Sequence, residues 1–351
     1  MKDVPTLVLG GTGYVAGELL RLLTAHPYLQ LAGVMSDSQA GTLVRDVFPQ
    51  LQNSVRALRF SSREQLLAML DSGRAALFSA APHGASAGLV AQFVQQAEQT
   101  GTTLTVVDVS ADFRYSSAEE YSAVYGSGHG APGLLDDFAC ALPEHLPAAG
   151  RPHIGHPGCF ATALLMAAVP LMQLELVSGD LYASGVTGST GSGRTPVTGT
   201  HHPQRHSNLY AYKPLAHRHT PEVTGICASL TGHRPALHFV PHSGPFARGI
   251  HVTMQGRLNA SLTSDELLDK LDVFYDGSEF VSVREGTPKI KDVVGSNYCH
   301  IGAATDSGSF TLMVVIDNLV KGAAGGAMQW MNRQLDLPET AGLDAAALPW
   351  I

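Results

Sequence analysis

Cys159 stands in the run His156-Pro157-Gly158-Cys159-Phe160-Ala161-Thr162, directly ahead of an apolar stretch from Ala163 to Val169. The Pro-Gly pair predicts a turn and the stretch after it a helix, so the thiol falls at a helix N-terminus. Backbone N–H groups there stabilise negative charge and favour thiolate over thiol. A thiolate attacks acyl groups, and it needs an acid–base partner of suitable proton affinity, a role that fits histidine. Sixteen histidines compete for that role. The run His217-Arg218-His219-Thr220-Pro221-Glu222 offers the best context. Thr220 reads as a helix cap with Pro221 at the first helical position. His219 then lies just before the helix, and Glu222 in the first turn can orient a neighbour.

A second signature opens the chain. Thr6-Leu7-Val8-Leu9 predicts a buried strand, Gly10-Gly11-Thr12-Gly13 breaks it, and a helix with one apolar face follows Tyr14. Glycines at 10, 11 and 13 let the backbone turn tightly and approach a pyrophosphate seated on the helix N-terminus. The second strand ends Val34-Met35-Ser36-Asp37-Ser38. Asp37 would accept hydrogen bonds from an adenosine ribose and disfavour a 2′-phosphate, whereas Ser36 and Ser38 would donate to that phosphate. The residues themselves leave NAD and NADP both open. A thiolate beside a nicotinamide suggests a thioester reduced by hydride to a thiohemiacetal, which collapses to an aldehyde.

An acyl phosphate or carboxylate substrate requires fixed cations. Arg114 follows a strand's C-terminal end, Arg194 closes the run Gly188-Ser189-Thr190-Gly191-Ser192-Gly193, and Arg248 precedes Gly249. Arginine suits bidentate recognition of either anion. The histidines of 201–206 match no standard zinc spacing, and no metal site is expected.

These groups need a scaffold. The chain has 351 residues, 44% hydrophobic and 15% charged, which is enough for two globular domains with large cores. Its net charge of −8 carries no basic block, so no nucleic-acid partner is expected. No apolar run reaches the roughly 18 residues of a membrane span, and none is expected. The first residues lack the layout of a secretory signal. The four cysteines form no CxxC pair, which points to a reducing, cytoplasmic setting. Strands at Leu29 to Met35, Ala75 to Ala80 and Thr103 to Val107 alternate with helical stretches, which predicts a doubly wound parallel sheet. After residue 150 the strands come with few helices between them. That pattern predicts a mixed or antiparallel sheet with helices on one face. Gly322 to Leu335 reads as a C-terminal helix.

Taken together and in order, Gly10–Gly17, Ser110–Arg114, Leu142-Pro143-Glu144, His156–Thr162, Gly188–Arg194, His217–Glu222 and Asn318–Gly325 resemble the N-acetyl-gamma-glutamyl-phosphate reductases of arginine biosynthesis. The resemblance implies an α/β protein: a Rossmann domain over 1–155, completed by a C-terminal helix over 321–351, and an α+β glyceraldehyde-phosphate-dehydrogenase-like catalytic and dimerisation domain over 156–320. It implies NADP(H) as cofactor, with NAD the lesser choice, and an acyl phosphate substrate with phosphate as co-product. It further implies a homodimer or homotetramer. Cys159 matches the nucleophile and His219 the acid–base, with His217 as runner-up. Gly10, Thr12, Gly13, Tyr14 and Val15, then Ser36, Asp37, Ser38 and Pro82, then Gly188, Ser189, Gly191 and Asn318 are the implied cofactor residues. Arg114, Arg194, His217, Glu222 and Arg248 are the implied substrate residues. Alternatives are the same chemistry on aspartyl phosphate or a carrier-bound aminoadipyl phosphate, or a Cys–His hydrolase. The chain departs from the family pattern at Asp37, at His242-Ser243-Gly244-Pro245-Phe246 and at 199–206.

Overall fold

The computed structural model describes residues 4–348. The chain divides into two compact units, the first formed by 4–140, 148–156 and 324–344, the second by 141–147, 157–323 and the residues from 345.

In the first unit β1 (Val4–Leu9) leads into α1 (Tyr14–Ala25) and β2 (Leu29–Val34). The short helices α2 (Val44–Val47) and α3 (Arg63–Leu67) precede β3 (Gly73–Ser79), α4 (Ser86–Thr100), β4 (Thr102–Asp108) and α5 (Ala118–Tyr125). The short strands β5 (Phe138–Ala139) and β6 (His153–Gly155) complete the sheet. Its order is β2-β1-β3-β4-β6-β5 and every pairing is parallel. Both faces are covered, which is why Leu7 to Leu9 and Ala75 to Phe78 are continuously buried rather than alternating. The strand order reverses beside β1, so a ligand crevice forms at the carboxyl end of β1, where the glycine run begins. Gly10 has φ +70°, and a Cβ there would lie 2.5 Å from the backbone of Ala80 and Ala81, so only glycine fits.

In the second unit α6 (Cys159–Gln173) is followed by β7 (Leu181–Thr187), α7 (His202–Arg205), β8 (Tyr210–Ala211) and α8 (His219–Thr231). Next come β9 (Leu237–Ser243), β10 (Ile250–Arg257), α9 (Ser264–Phe274), β11 (Val281–Val283), β12 (Cys299–Asp306) and β13 (Ser309–Ile316). The seven-stranded sheet runs β11-β12-β13-β10-β7-β9-β8. It is mixed: β11/β12 and β7/β9 are parallel, the other pairs antiparallel. Alternate residues of β7, β9 and β10 are buried, as expected of a sheet covered on one face. Helix α6 packs on β10, β13 and α8. It is apolar all round and buried from Phe160 to Leu171, the signature of a central helix.

Sequence patterning missed β12, whose Gly302-Ala303-Ala304 centre has little strand preference. Antiparallel pairing with β13 over its whole length imposes the strand. The C-terminal helix is shorter than the segment 321–351. A π-helical turn, Val320–Ala324, leads into α10 (Gly325–Gln334), and Asp336 at φ +57° turns the chain away. Residues 349–351 lie outside the described residues.

Candidate active site

Cys159 is the first residue of α6. Its predecessor Gly158 is the N-cap, with extended backbone and no side chain to offer. The cap is supplied from elsewhere: Gly158 N–H donates to Glu222 Oε1 at 2.7 Å, and Glu222 is 1% exposed. Phe160 is buried against Phe239 and the face of Gly185, which fixes the direction of the first turn. From the other side Gly322 approaches so closely that a Cβ on it would lie 2.9 Å from Cys159 Cβ. Gly322 is held by its own N–H bond to Asp317 O at 3.0 Å and follows Lys321, whose buried ammonium pairs with Glu144. Gly322 therefore forms one wall beside the thiol.

Helix α8 begins at His219, with Arg218 as its cap residue. This differs from the expected start, in which Thr220 caps and Pro221 leads. The turn closes earlier because His217 O accepts Thr220 N–H at 3.0 Å and His217 Nδ1 accepts His219 N–H at 3.2 Å. Glu222 is therefore one turn inside α8, and its bond to Gly158 brings together the N-termini of α6 and α8. Cys159, as the first residue of α6, sits at that helix's positive end, while α8 contributes the Glu222 carboxylate that holds the Gly158 N–H. His217 and His219 are both buried, their ring centroids 4.7 Å apart. Burial, reinforced by Arg218 and Lys213, pulls the His217 imidazole down to about 4. His217 is thus neutral, with Nδ1 as acceptor and edge-on packing against Phe160, Tyr212 and Phe239.

Tyr212 was not legible in the sequence. Burial raises its phenol, and the charge of Cys159 is the next cause, so Tyr212 belongs to the surroundings of the thiol. No motif marks it, since the loop before α8 carries no regular spacing.

The loop 188–194 forms a 3₁₀ turn over Ser189–Ser192. Ser189 N–H donates to Phe246 O at 2.9 Å, and the Thr190 hydroxyl to Ala247 O at 2.7 Å. Asn318 bridges the same elements: its Oδ1 accepts Gly249 N–H at 2.8 Å and its Nδ2 donates to Thr190 Oγ1 at 2.9 Å. Gly191 is exposed at the turn, and Arg194 lies exposed beyond it. Arg248 forms a two-pronged ion pair with the fully buried Asp317, at 3.0 and 3.1 Å. Much of its charge is therefore balanced within the protein.

In the first unit Arg114 donates to the carbonyls of His156 at 2.8 Å and Val109 at 2.9 Å. Asp108 nearby is fully buried. Burial lifts its carboxyl to about 6, against the hydroxyls of Ser110 and Ser86, which donate to it.

The dinucleotide elements fit their ligand. Gly13 caps α1 without a side chain, the first turn carries no acid, and nothing lies within 4 Å of where its Cβ would stand. Thr12, Tyr14 and Val15 surround this open helix N-terminus, the arrangement a pyrophosphate needs. Pro82 O starts the turn into α4 by accepting from Ala85 N–H and Ser86 N–H. Ser36 and Ser38 approach at 3.4 Å between hydroxyl oxygens, while Asp37 is exposed. Sequence reading passed over Arg59. The segment 58–61 runs beside the 34–44 turn, and Arg59 donates to Gly41 O at 2.7 Å. Its distance along the chain hid it.

Residues 6–150 match the family described as semialdehyde dehydrogenase, NAD binding domain, and residues 159–318 that described as semialdehyde dehydrogenase, dimerisation domain. N-acetyl-gamma-glutamyl-phosphate reductase of Dehalococcoides mccartyi (strain CBDB1) is 36% identical, covering 99% of each chain. The enzyme of that name from Pseudomonas aeruginosa (strain UCBPP-PA14) is 37% identical over 97% of this chain and 98% of its own. Aspartate semialdehyde dehydrogenase II of Vibrio cholerae, complexed with ASA, superposes with a TM-score of 0.71 at 16% identity, covering 96% and 99%. Aspartate semialdehyde dehydrogenase with NADP from Candida albicans gives 0.67 at 16% identity, covering 97% and 99%. At that identity the two structures speak to fold alone. The full-length relatives go further, and the chain belongs to the N-acetyl-gamma-glutamyl-phosphate reductases, a family of oxidoreductases with the semialdehyde dehydrogenase architecture.

Proposed function

We propose that the protein reduces N-acetyl-L-glutamyl 5-phosphate to N-acetyl-L-glutamate 5-semialdehyde and phosphate, using NADPH, through a thioester on Cys159. The observation that carries this reading is the Gly158–Glu222 bond, which sets the first residue of α6 beside the first turn of α8. His219 takes the thiol proton, and Cys159 Sγ bonds to the acyl carbon. The carbon–oxygen bond to phosphate breaks, and His219 returns the proton to the departing phosphate. When bound, NADPH would supply the hydride that reduces the thioester. The N-terminus of α6 would stabilise negative charge on the acyl oxygen, the sulfur would leave as thiolate when the aldehyde is released, and solvent would reprotonate it. His219 is favoured over His217 because burial pulls His217 down to about 4, which makes it a weak base, and its Nδ1 already accepts the His219 N–H.

NADPH is favoured over NADH by the hydroxyls of Ser36 and Ser38 and by Arg59 beside their turn, a donor set for a 2′-phosphate. Arg114, Arg194 and Arg248 are the candidate anion contacts. The match to a dimerisation domain supports a homodimer or homotetramer. Among the described residues no disulfide forms, in keeping with a reducing, cytoplasmic setting.

The test is phosphate-dependent reduction of NADP by a panel of semialdehydes. N-acetyl-glutamate semialdehyde should lead the panel, and Cys159→Ser should abolish turnover while leaving NADPH binding intact. Near-wild-type turnover in that variant would sink the thioester. Preference for aspartate semialdehyde, or for a carrier-bound aminoadipate semialdehyde, would move the assignment to that acid.

A further inference from the structure

The segments 199–206 and 242–247 meet at Arg205. Arg205 ends α7 and is 8% exposed. Its Nη1 donates to Ser243 Oγ and its Nη2 to Gly244 O, with Phe246 O at 3.4 Å. Its Nε has no hydrogen-bond partner, and among the described residues no carboxylate lies within ion-pair distance of it. A guanidinium taken out of water without a counter-charge is costly, so its neighbours must repay the cost. The neighbours are the Ser243 hydroxyl and two carbonyls of one strap, whose lone pairs the guanidinium gathers.

The same strap carries the 188–194 loop on another side. Phe246 O, within reach of Arg205, also accepts Ser189 N–H at 2.9 Å. The next carbonyl, Ala247 O, accepts Thr190 N–H at 3.1 Å and its hydroxyl at 2.7 Å. Arg248, next along the strap, is balanced by Asp317. The charge of Arg205 is not balanced in this way.

We infer that Arg205 is a positioning residue for this enzyme's anionic substrate. Its uncancelled charge gathers the strap 243–247 and, through the shared Phe246 carbonyl, fixes the start of the loop that runs from Gly188 to the anion candidate Arg194. The substrate half of this inference rests on the function proposed above; the coupling of strap and loop does not. The experiment compares wild type with Arg205→Met, Arg205→Lys and Ser243→Ala. In Arg205→Met the Ser189 and Thr190 amides should exchange with deuterium about tenfold faster. KM for phosphate in aldehyde oxidation should rise about tenfold. The value of kcat should stay within about threefold, and Cys159 alkylation by iodoacetamide should be unchanged. Arg205→Lys, which keeps the charge, should fall between. Ser243→Ala, a milder lesion, should shift exchange and KM the same way by less, which keeps the test decisive if Arg205→Met does not fold. A purely structural role would lower the melting temperature and leave KM alone. Unchanged KM or unchanged exchange in the folded variants overturns the inference. If the wild type oxidises none of the semialdehydes, the proposed function fails, and amide exchange alone then decides the coupling.

Discussion

Glu222 accepts the Gly158 N–H at 2.7 Å, and this one bond joins the helix that begins with Cys159 to the helix that begins with His219. Gly158 cannot cap its own helix, so a buried carboxylate from α8 does so. The bond thereby sets the spacing of both helix ends. Glu222→Ala should leave a buried N–H unpaired, costing about 1–3 kcal/mol of stability. It should also lower kcat by roughly 10–100-fold, because a small misplacement of reacting groups is that costly. Glu222→Gln keeps the acceptor and should recover most of the stability. Thermal melts and steady-state kinetics on the pair check this.

The histidines should separate by role. Replacing His219 by Asn should reduce kcat by about 10²–10⁴-fold, the usual worth of an acid–base group. His217→Gln should reduce it far less, since that ring packs and accepts rather than transfers a proton. Equal losses in the two variants would reverse the assignment.

Stability should fall on the acid side. Burial holds His217 and His145 down to about 4, below the ordinary 6.5. The unfolded chain protonates them below about 6.5 while the folded protein does not, so stability is lost as pH falls from 6.5 toward 4. Each contributes at most about 3 kcal/mol. Asp108 works the other way: lifted to about 6, it binds its proton in the fold first and regains stability as pH falls below 6 toward about 3.8. Calorimetry between pH 7.5 and 4.5 should show a net loss, and His217→Gln should flatten it.

Gly322→Ala should damage catalysis without damaging cofactor binding. The added methyl meets Cys159 Cβ at 2.9 Å and Cα at 3.1 Å, so the thiol must shift. We expect kcat to fall about 10–100-fold with NADPH affinity unchanged by fluorescence titration.

Arg59→Gln tests the choice of cofactor. If Arg59 meets the 2′-phosphate, KM for NADPH should rise about tenfold or more, the worth of a charged hydrogen bond. KM for NADH should not move. Parallel loss with both cofactors would place Arg59 in the turn alone.

Local chemistry made part of this protein legible from the sequence. A strand, a glycine turn and a helix are contiguous, so the dinucleotide signature at Gly10 to Tyr14 could be read directly. So could the placement of Cys159 at a helix start, because Pro157-Gly158 and the apolar run after it act within a few residues. The tertiary structure decided what depends on distant partners. Glu222 caps α6 across more than sixty residues, Gly322 presses on Cys159 from the far end of the chain, and Arg59 reaches the turn after β2 by pairing beside it. Arg248, attractive as a bare cation, is balanced by Asp317, while Arg205 lay hidden in a polar segment without periodicity. The nucleophile at a helix start was legible because backbone and neighbouring residues specify it. The partners that orient and serve it were not, because burial and long-range hydrogen bonds choose among many equivalent histidines, carboxylates and arginines, and only packing breaks that equivalence.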